Sequence, residues 1–219
     1  MNPRACLLLH GFTGGPHELE PLARHLSSLG WICSVPTLAG HGGPLRSLRD
    51  IHRSEWIATA AAAADSLQER FGTFDLVGFS MGGLIAAYLS NRYPVRKLVL
   101  LNAAVTYISP RRFVQNAVRQ VRSGSAEQLR VKHETPVRSV FQFMQLVREL
   151  KPEIDGIRVP TLIVQGDLDE IVHPRSARYI NNRIQGEKEL AVFPNSRHMI
   201  CLGQEAEELF LKVERFLLK

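Results

Sequence analysis

The chain has 219 residues, 45% apolar and 22% charged, with a formal net charge of +6. That is enough chain for one domain with a full core, and its composition excludes a disordered or fibrous protein. Three scattered cysteines, Cys6, Cys33 and Cys201, speak against a disulfide framework. No apolar run approaches the roughly 20 residues needed to span a bilayer, and the positive charge forms no stripe interleaved with aromatics, which excludes nucleic acid as a partner.

The opening "MNPRACLLLHGF" is too short for a signal peptide and is interrupted at His10-Gly11, so it reads as a strand over Ala5 to His10 in a cytoplasmic protein. Leu19, Leu22, Leu26 and Leu29 recur at helical spacing between His17 and Leu29, with Gly30 as the stop. "WICSVP" (Trp31 to Pro36) is the next predicted strand, followed by a loop and an alanine-rich helix from Ser54 to Phe71. "FDLVGF" is a strand, Met81 to Arg92 a helix and "RKLVLL" a strand. After a long interval come the strand "PTLIVQ", a helix from Pro174 to Arg183, the strand "KELAVF" and a last helix from Gln204 to Leu217.

Several strands are continuously apolar, as strands buried on both faces are. Their alternation with helices predicts a parallel α/β sheet, whose working residues sit beyond the carboxyl ends of the strands. Residues 105–155 break the alternation with two helical patterns, one from Ser109-Pro110 and one from Thr135-Pro136. The second shows Val137, Val140, Phe141, Met144 and Val147 on one side. This all-helical stretch reads as a cap over a site, dividing the chain into a core of 1–104 and 156–219 and a cap of 105–155. Nine Lys/Arg oppose five Asp/Glu in it, a solvated basic face that leaves at most weak association with an anionic membrane surface.

The segment "GFSMGG" contains G-x-S-x-G, Gly78 to Gly82, between a strand and a helix. So sharp a turn strains the central residue and admits only glycine two positions to either side, while exposing the Ser80 hydroxyl above a helix N-terminus. A serine hydroxyl becomes a nucleophile only beside a base, and the base needs an acid to hold its tautomer. In this turn's usual setting the chain order is serine, acid, histidine. Three histidines follow Ser80; His133 falls in the cap and His173 at a helix start, whereas His198 lies in the loop after the last strand. The loop "GDLDEIVHP" offers Asp167, Asp169 and Glu170 as the acid. Asp169 sits farther along, where the chain can turn back toward His198, and Asp167 suits bracing the turn by bonding its own backbone. The N–H groups of Met81 and of Phe12, in "LLHGFTGGP", are the expected oxyanion donors. No metal-ligand pattern or nucleotide-binding loop is present, so neither a metal nor a cofactor is expected.

Taken together, "HGFTGGP", "AGHGG", "GFSMGG", "QGDLDEIVHPRSA" and "NSRHMICLGQEAEELFLKVERFL" resemble the α/β-hydrolase superfamily, and within it small bacterial carboxylesterases and monoacylglycerol-lipase-like enzymes. The resemblance implies an α/β-hydrolase fold with about six parallel strands, helices on both faces and a short helical cap. The family's acid pattern, G-x-x-D-x-x-V, falls on Gly166, Asp169 and Val172. The resemblance implies a serine carboxylesterase whose partner is a small-molecule ester, a short- to medium-chain acyl ester or a monoacylglycerol. His41 of "AGHGG", Phe141 and Met144 are the expected pocket residues. Two rivals stand beside this reading: hydrolysis of another bond (thioester, lactone or carbon–carbon) and a non-catalytic ligand-binding receptor.

Overall fold

The computed structural model describes residues 4–106 and 135–219. Six strands form one parallel sheet: β1 (Ala5–Leu9), β2 (Ile32–Ser34), β3 (Phe74–Phe79), β4 (Val95–Leu101), β5 (Thr161–Gly166) and β6 (Lys188–Phe193), in spatial order β2-β1-β3-β4-β5-β6. The helices are α1 (Glu20–Ser28), α2 (Arg53–Phe71), α3 (Met81–Ser90), α4 (Val137–Leu150), α5 (Arg175–Arg183) and α6 (Ala206–Leu218).

Both faces of the sheet are covered, which is why β1, β3 and β5 are buried along their whole length. Successive side chains alternate between two cores. Leu7, Leu9, Leu76, Leu98, Leu100 and Ile163 join α2, α3, α4 and α5 on one face. Cys6, Leu8, Val77, Val99, Leu162 and Val164 join α1 and α6 on the other. The alanine run of α2 buries Trp56, Ala60, Ala64 and Leu67, a stripe at helical spacing. A capping box closes its start, with the His52 ring accepting from the Ser54 N–H and the Glu55 carboxylate from the His52 N–H; Gly72, at φ 76°, ends it.

The predicted elements appear in order, with differences at their ends. The first helical pattern divides into a single turn at Pro16–Glu18 and α1. The strand expected over "WICSVP" pairs, among the described residues, through Ile32–Ser34 with β1 alone. The first of the two helical patterns between β4 and β5 lies outside the described residues. The second is α4, but its inward face is rotated from the expected one. Phe143, Leu146, Val147 and Leu150 are buried, while Val137 is 86% and Phe141 58% exposed. The sequence carries two overlapping apolar stripes here, and packing against α3 and α2 selects the second.

The order of strands reverses beside β1: β2 lies on one side and β3 on the other. Ligands bind at such switch points, outside the carboxyl ends of the strands. The loop after β1 begins at His10 and the turn after β3 holds Ser80, so the two face each other across this crevice. The approach is close: a Cβ on Gly82 would lie 2.1 Å from the Leu9 carbonyl oxygen, and one on Gly78 would lie 2.5 Å from that of Gly82. Gly82→Ala must therefore push α3 off β1. We expect it to lose about 3 kcal/mol of stability, the upper range for overpacking, measured by urea denaturation; an unchanged midpoint would contradict this packing.

Candidate active site

Ser80 stands between β3 and α3 with φ 52° and ψ −115°, one of two non-glycine residues with positive φ among the described residues. Its backbone is held at both ends. The Ser80 N–H donates to the Leu101 carbonyl at 2.9 Å, and the Ser80 carbonyl accepts from the Ala104 N–H at 3.1 Å. The strained turn is thus fixed by the strand beside it.

His198, in the loop after β6, brings Nε2 to 3.1 Å from Ser80 Oγ and Nδ1 to 2.8 Å from Asp169 Oδ2. A carboxylate at Nδ1 fixes that nitrogen as the N–H donor, leaving Nε2 to accept from the serine hydroxyl. The carboxylate is fully buried. Its Oδ1 accepts from the N–H groups of Ile171 and Val172, each at 2.8 Å, and Gln165 Nε2 lies 3.4 Å from Oδ2. The turn bracing expected of Asp167 is therefore made by Asp169, while Asp167 is exposed and offers its backbone N–H to Phe193. The three predicted residues Ser80, Asp169 and His198 thus form one hydrogen-bonded line.

Burial by itself pushes the His198 pKa down. The charge and hydrogen bond of Asp169, with the more distant carboxylates of Glu18 and Glu170, outweigh it and hold the imidazole above its ordinary value of 6.5.

Met81 follows the serine at the start of α3, and Phe12 lies in the loop after β1. Met81 opens α3, so its N–H has no acceptor within the helix. Phe12 is held on several sides: its ring stacks on Phe143 of α4 at 4.8 Å and meets Trp56 of α2 edge-on, and its carbonyl lies 2.6 Å from His41 Nε2. The other ring nitrogen of His41 faces the Ala39 carbonyl at 3.0 Å, so His41 joins the loops after β1 and β2. Of the remaining expected pocket residues, Met144 is half-buried against the core and Phe141 turns outward. Phe143 is the aromatic of α4 that reaches the Phe12 loop.

Two further residues hold that loop, and neither was singled out from the sequence. His10 is fully buried; its Nδ1–H donates to the Gly11 carbonyl at 2.9 Å and its Nε2 accepts from the Leu38 N–H at 3.1 Å. Burial pushes its pKa down to about 4, so it is neutral at ordinary pH. Glu18 is buried beneath the loop and accepts from the Gly11 N–H at 2.8 Å. A Cβ on Gly14 would lie 2.0 Å from this carboxylate, so Gly14 makes the room it occupies. Burial raises the Glu18 pKa. In the sequence "PHELEPL" the residue looks like an exposed position of a helix start. Only the HGFTGG spacing, glycines facing a nearby acid, could have signalled it.

Residues 6–212 match the model of the alpha/beta hydrolase family, and the chain belongs to it. A thermostable monoacylglycerol lipase of Bacillus sp. (strain H-257) is 30% identical over 93% of this chain and 86% of its own. A carboxylesterase of Bacillus subtilis is 27% identical over 99% and 93%. A solved structure from the metagenome-derived lipolytic enzymes LipS and LipT superposes with a TM-score of 0.84 at 26% identity, over 99% of this chain and 94% of the other.

The electrostatics can be read directly by NMR titration of the imidazoles. His198 should titrate above 6.5 and move down in Asp169→Asn, which removes the largest raising cause and leaves burial opposed only by the more distant Glu18 and Glu170, while His10 stays neutral to about 4. A wild-type His198 midpoint below 6.5 would contradict the arrangement.

Proposed function

We propose that this protein is a serine carboxylesterase that hydrolyses short- to medium-chain acyl esters or monoacylglycerols through an acyl-enzyme at Ser80. The observation that carries the reading is the line Ser80–His198–Asp169, with contacts of 3.1 and 2.8 Å, at a strained strand-to-helix turn. The names of the two Bacillus relatives, a monoacylglycerol lipase and a carboxylesterase, agree with it.

In this reading His198 Nε2 takes the Ser80 proton as Oγ attacks the ester carbonyl carbon. The carbonyl π pair moves onto oxygen, and the N–H groups of Phe12 and Met81 receive that oxyanion. One such donor is worth about 10²–10³ in rate. The tetrahedral intermediate collapses, the bond to the alcohol oxygen breaks, and the imidazolium returns its proton to the leaving alcohol. Water, losing a proton to His198, then attacks the acyl-serine; the acyl–Oγ bond breaks, His198 returns the proton to Oγ, and the acid leaves. Asp169 keeps Nδ1 protonated and stabilises the imidazolium without taking its proton.

The cap of 105–155 expected over the core of 1–104 and 156–219 falls partly outside the described residues, and its described helix, α4, packs in the same core as α2 and α3. Phe143 of α4 stacks on Phe12, so α4 bears on the loop that supplies an oxyanion donor. Met144 and His41 belong to the pocket wall in this reading. Cys6, Cys33 and Cys201 are all free thiols, which suits a reducing, cytoplasmic setting.

Ser80→Ala should fold and lose p-nitrophenyl ester turnover by about 10⁴–10⁶ in kcat. A fluorophosphonate should label wild type at Ser80 alone. Asp169→Asn should lose about 10⁴ through the wrong imidazole tautomer, while the exposed Asp167 tolerates the same change. Turnover in folded Ser80→Ala, or a greater loss in Asp167→Asn than in Asp169→Asn, would refute the assignment. A folded wild type that turns over none of the acyl lengths would favour a binding protein instead.

A further inference from the structure

The second non-glycine residue with positive φ among the described residues is Asn102, at φ 44° and fully buried, one residue past the end of β4. Buried asparagine in that conformation carries a cost, and its bonds indicate what it supports. Its Nδ2 donates to the His198 carbonyl at 2.8 Å and lies 3.2 Å from that of Arg197. Its Oδ1 accepts from the Gly166 N–H at 2.8 Å, and its own N–H donates to the Val164 carbonyl at 2.9 Å. The Gly166 carbonyl in turn accepts from the Asp169 N–H at 3.3 Å.

The residues on either side of Asn102 grip the nucleophile. Leu101 accepts from the Ser80 N–H, and Ala104 donates to the Ser80 carbonyl. The left-handed turn at Asn102 lies between these two bonds. One short segment, Leu101–Ala104, therefore touches the backbone at Ser80, at His198 and at the turn that begins the Asp169 loop. A side-chain amide suits this place because it supplies donors on one side and an acceptor on the other. An aspartate would set a carboxylate against two carbonyl oxygens.

We infer that Asn102 is a positioning residue for the esterase reaction: its amide sets His198 against Ser80 and Asp169. The inference rests on the roles proposed above for those three residues. Asn102 touches no reacting atom. Its effect passes through the His198 main chain, so it should appear in the chemical step rather than in substrate binding.

The test compares kcat and KM for p-nitrophenyl butyrate in wild type, Asn102→Gly, Asn102→Asp and the control Ser80→Ala, with near-UV circular dichroism reporting the folded fraction. Glycine takes φ 44° without strain, so Asn102→Gly removes the amide and keeps the turn. It should lose about 10–100-fold in kcat, the scale of a small misplacement of a reacting group, with KM within about threefold. Asn102→Asp keeps the shape and the acceptor but not the donors, and should lose at least as much. Wild-type kcat in folded Asn102→Gly would overturn the inference, as would a loss no greater than the unfolded fraction. If Asn102→Gly fails to fold, Asn102→Asp decides: full activity there means that shape, not the donor, matters, and overturns it. Loss in Ser80→Ala with full speed in the Asn102 variants rejects this inference alone, whereas turnover in Ser80→Ala rejects the esterase reading beneath it.

Discussion

The arrangement depends on the backbone of Ser80 being held in a conformation it would not choose. Its φ of 52° costs on the order of 1–3 kcal/mol, and two hydrogen bonds from the end of β4, to Leu101 and from Ala104, oppose that cost. The same constraint explains the glycines. With α3 starting immediately after the turn, Gly82 comes so near Leu9 that no side chain fits. β1, β3, β4 and α3 are therefore locked together at the point where the hydroxyl emerges, and the rigidity of Ser80 is a property of the sheet rather than of one loop.

The groups around Ser80 follow a common pattern of buried polar side chains that bond main chain. Burying a polar group without a partner costs about 1–3 kcal/mol, so each such residue must find one, in its own loop or in a neighbouring one. His10 joins the loop after β1 to that after β2, while Glu18 secures Gly11 from below. Asp169 closes its own turn while facing His198, and Asn102 connects the ends of β4, β5 and the histidine loop. These bonds bring residues far apart in sequence to a common geometry before any substrate arrives. That is the preorganisation on which electrostatic catalysis relies.

Much of this was legible because it is written locally. The G-x-S-x-G turn, the apolar strands and the acid and histidine loops each occupy a few consecutive residues, and the parallel sheet follows from strand–helix alternation. What could not be read depends on distant contacts. Asn102 meets Gly166 and His198, 64 and 96 positions away, and looks from its neighbours like an ordinary residue after a strand. Glu18 is buried because glycines 11 and 14 fold back over it, which a helix-start pattern does not reveal. In α4 two apolar stripes compete, and only the surface of α3 and α2 selects Phe143 over Phe141. The bracing role expected of Asp167 belongs to Asp169 for the same kind of reason, since the buried carboxylate that faces His198 also accepts from the Ile171 and Val172 N–H groups.

In the proposed reaction Ser80 is preset between its base and two backbone donors. The most direct measurement is a crystal structure of the phosphonate adduct. The expected adduct is on Ser80 Oγ, with its phosphoryl oxygen about 2.7–3.1 Å from the Phe12 and Met81 nitrogens and the Ser80 backbone unmoved. An adduct on another residue, or an oxygen pointing away from both nitrogens, would contradict it.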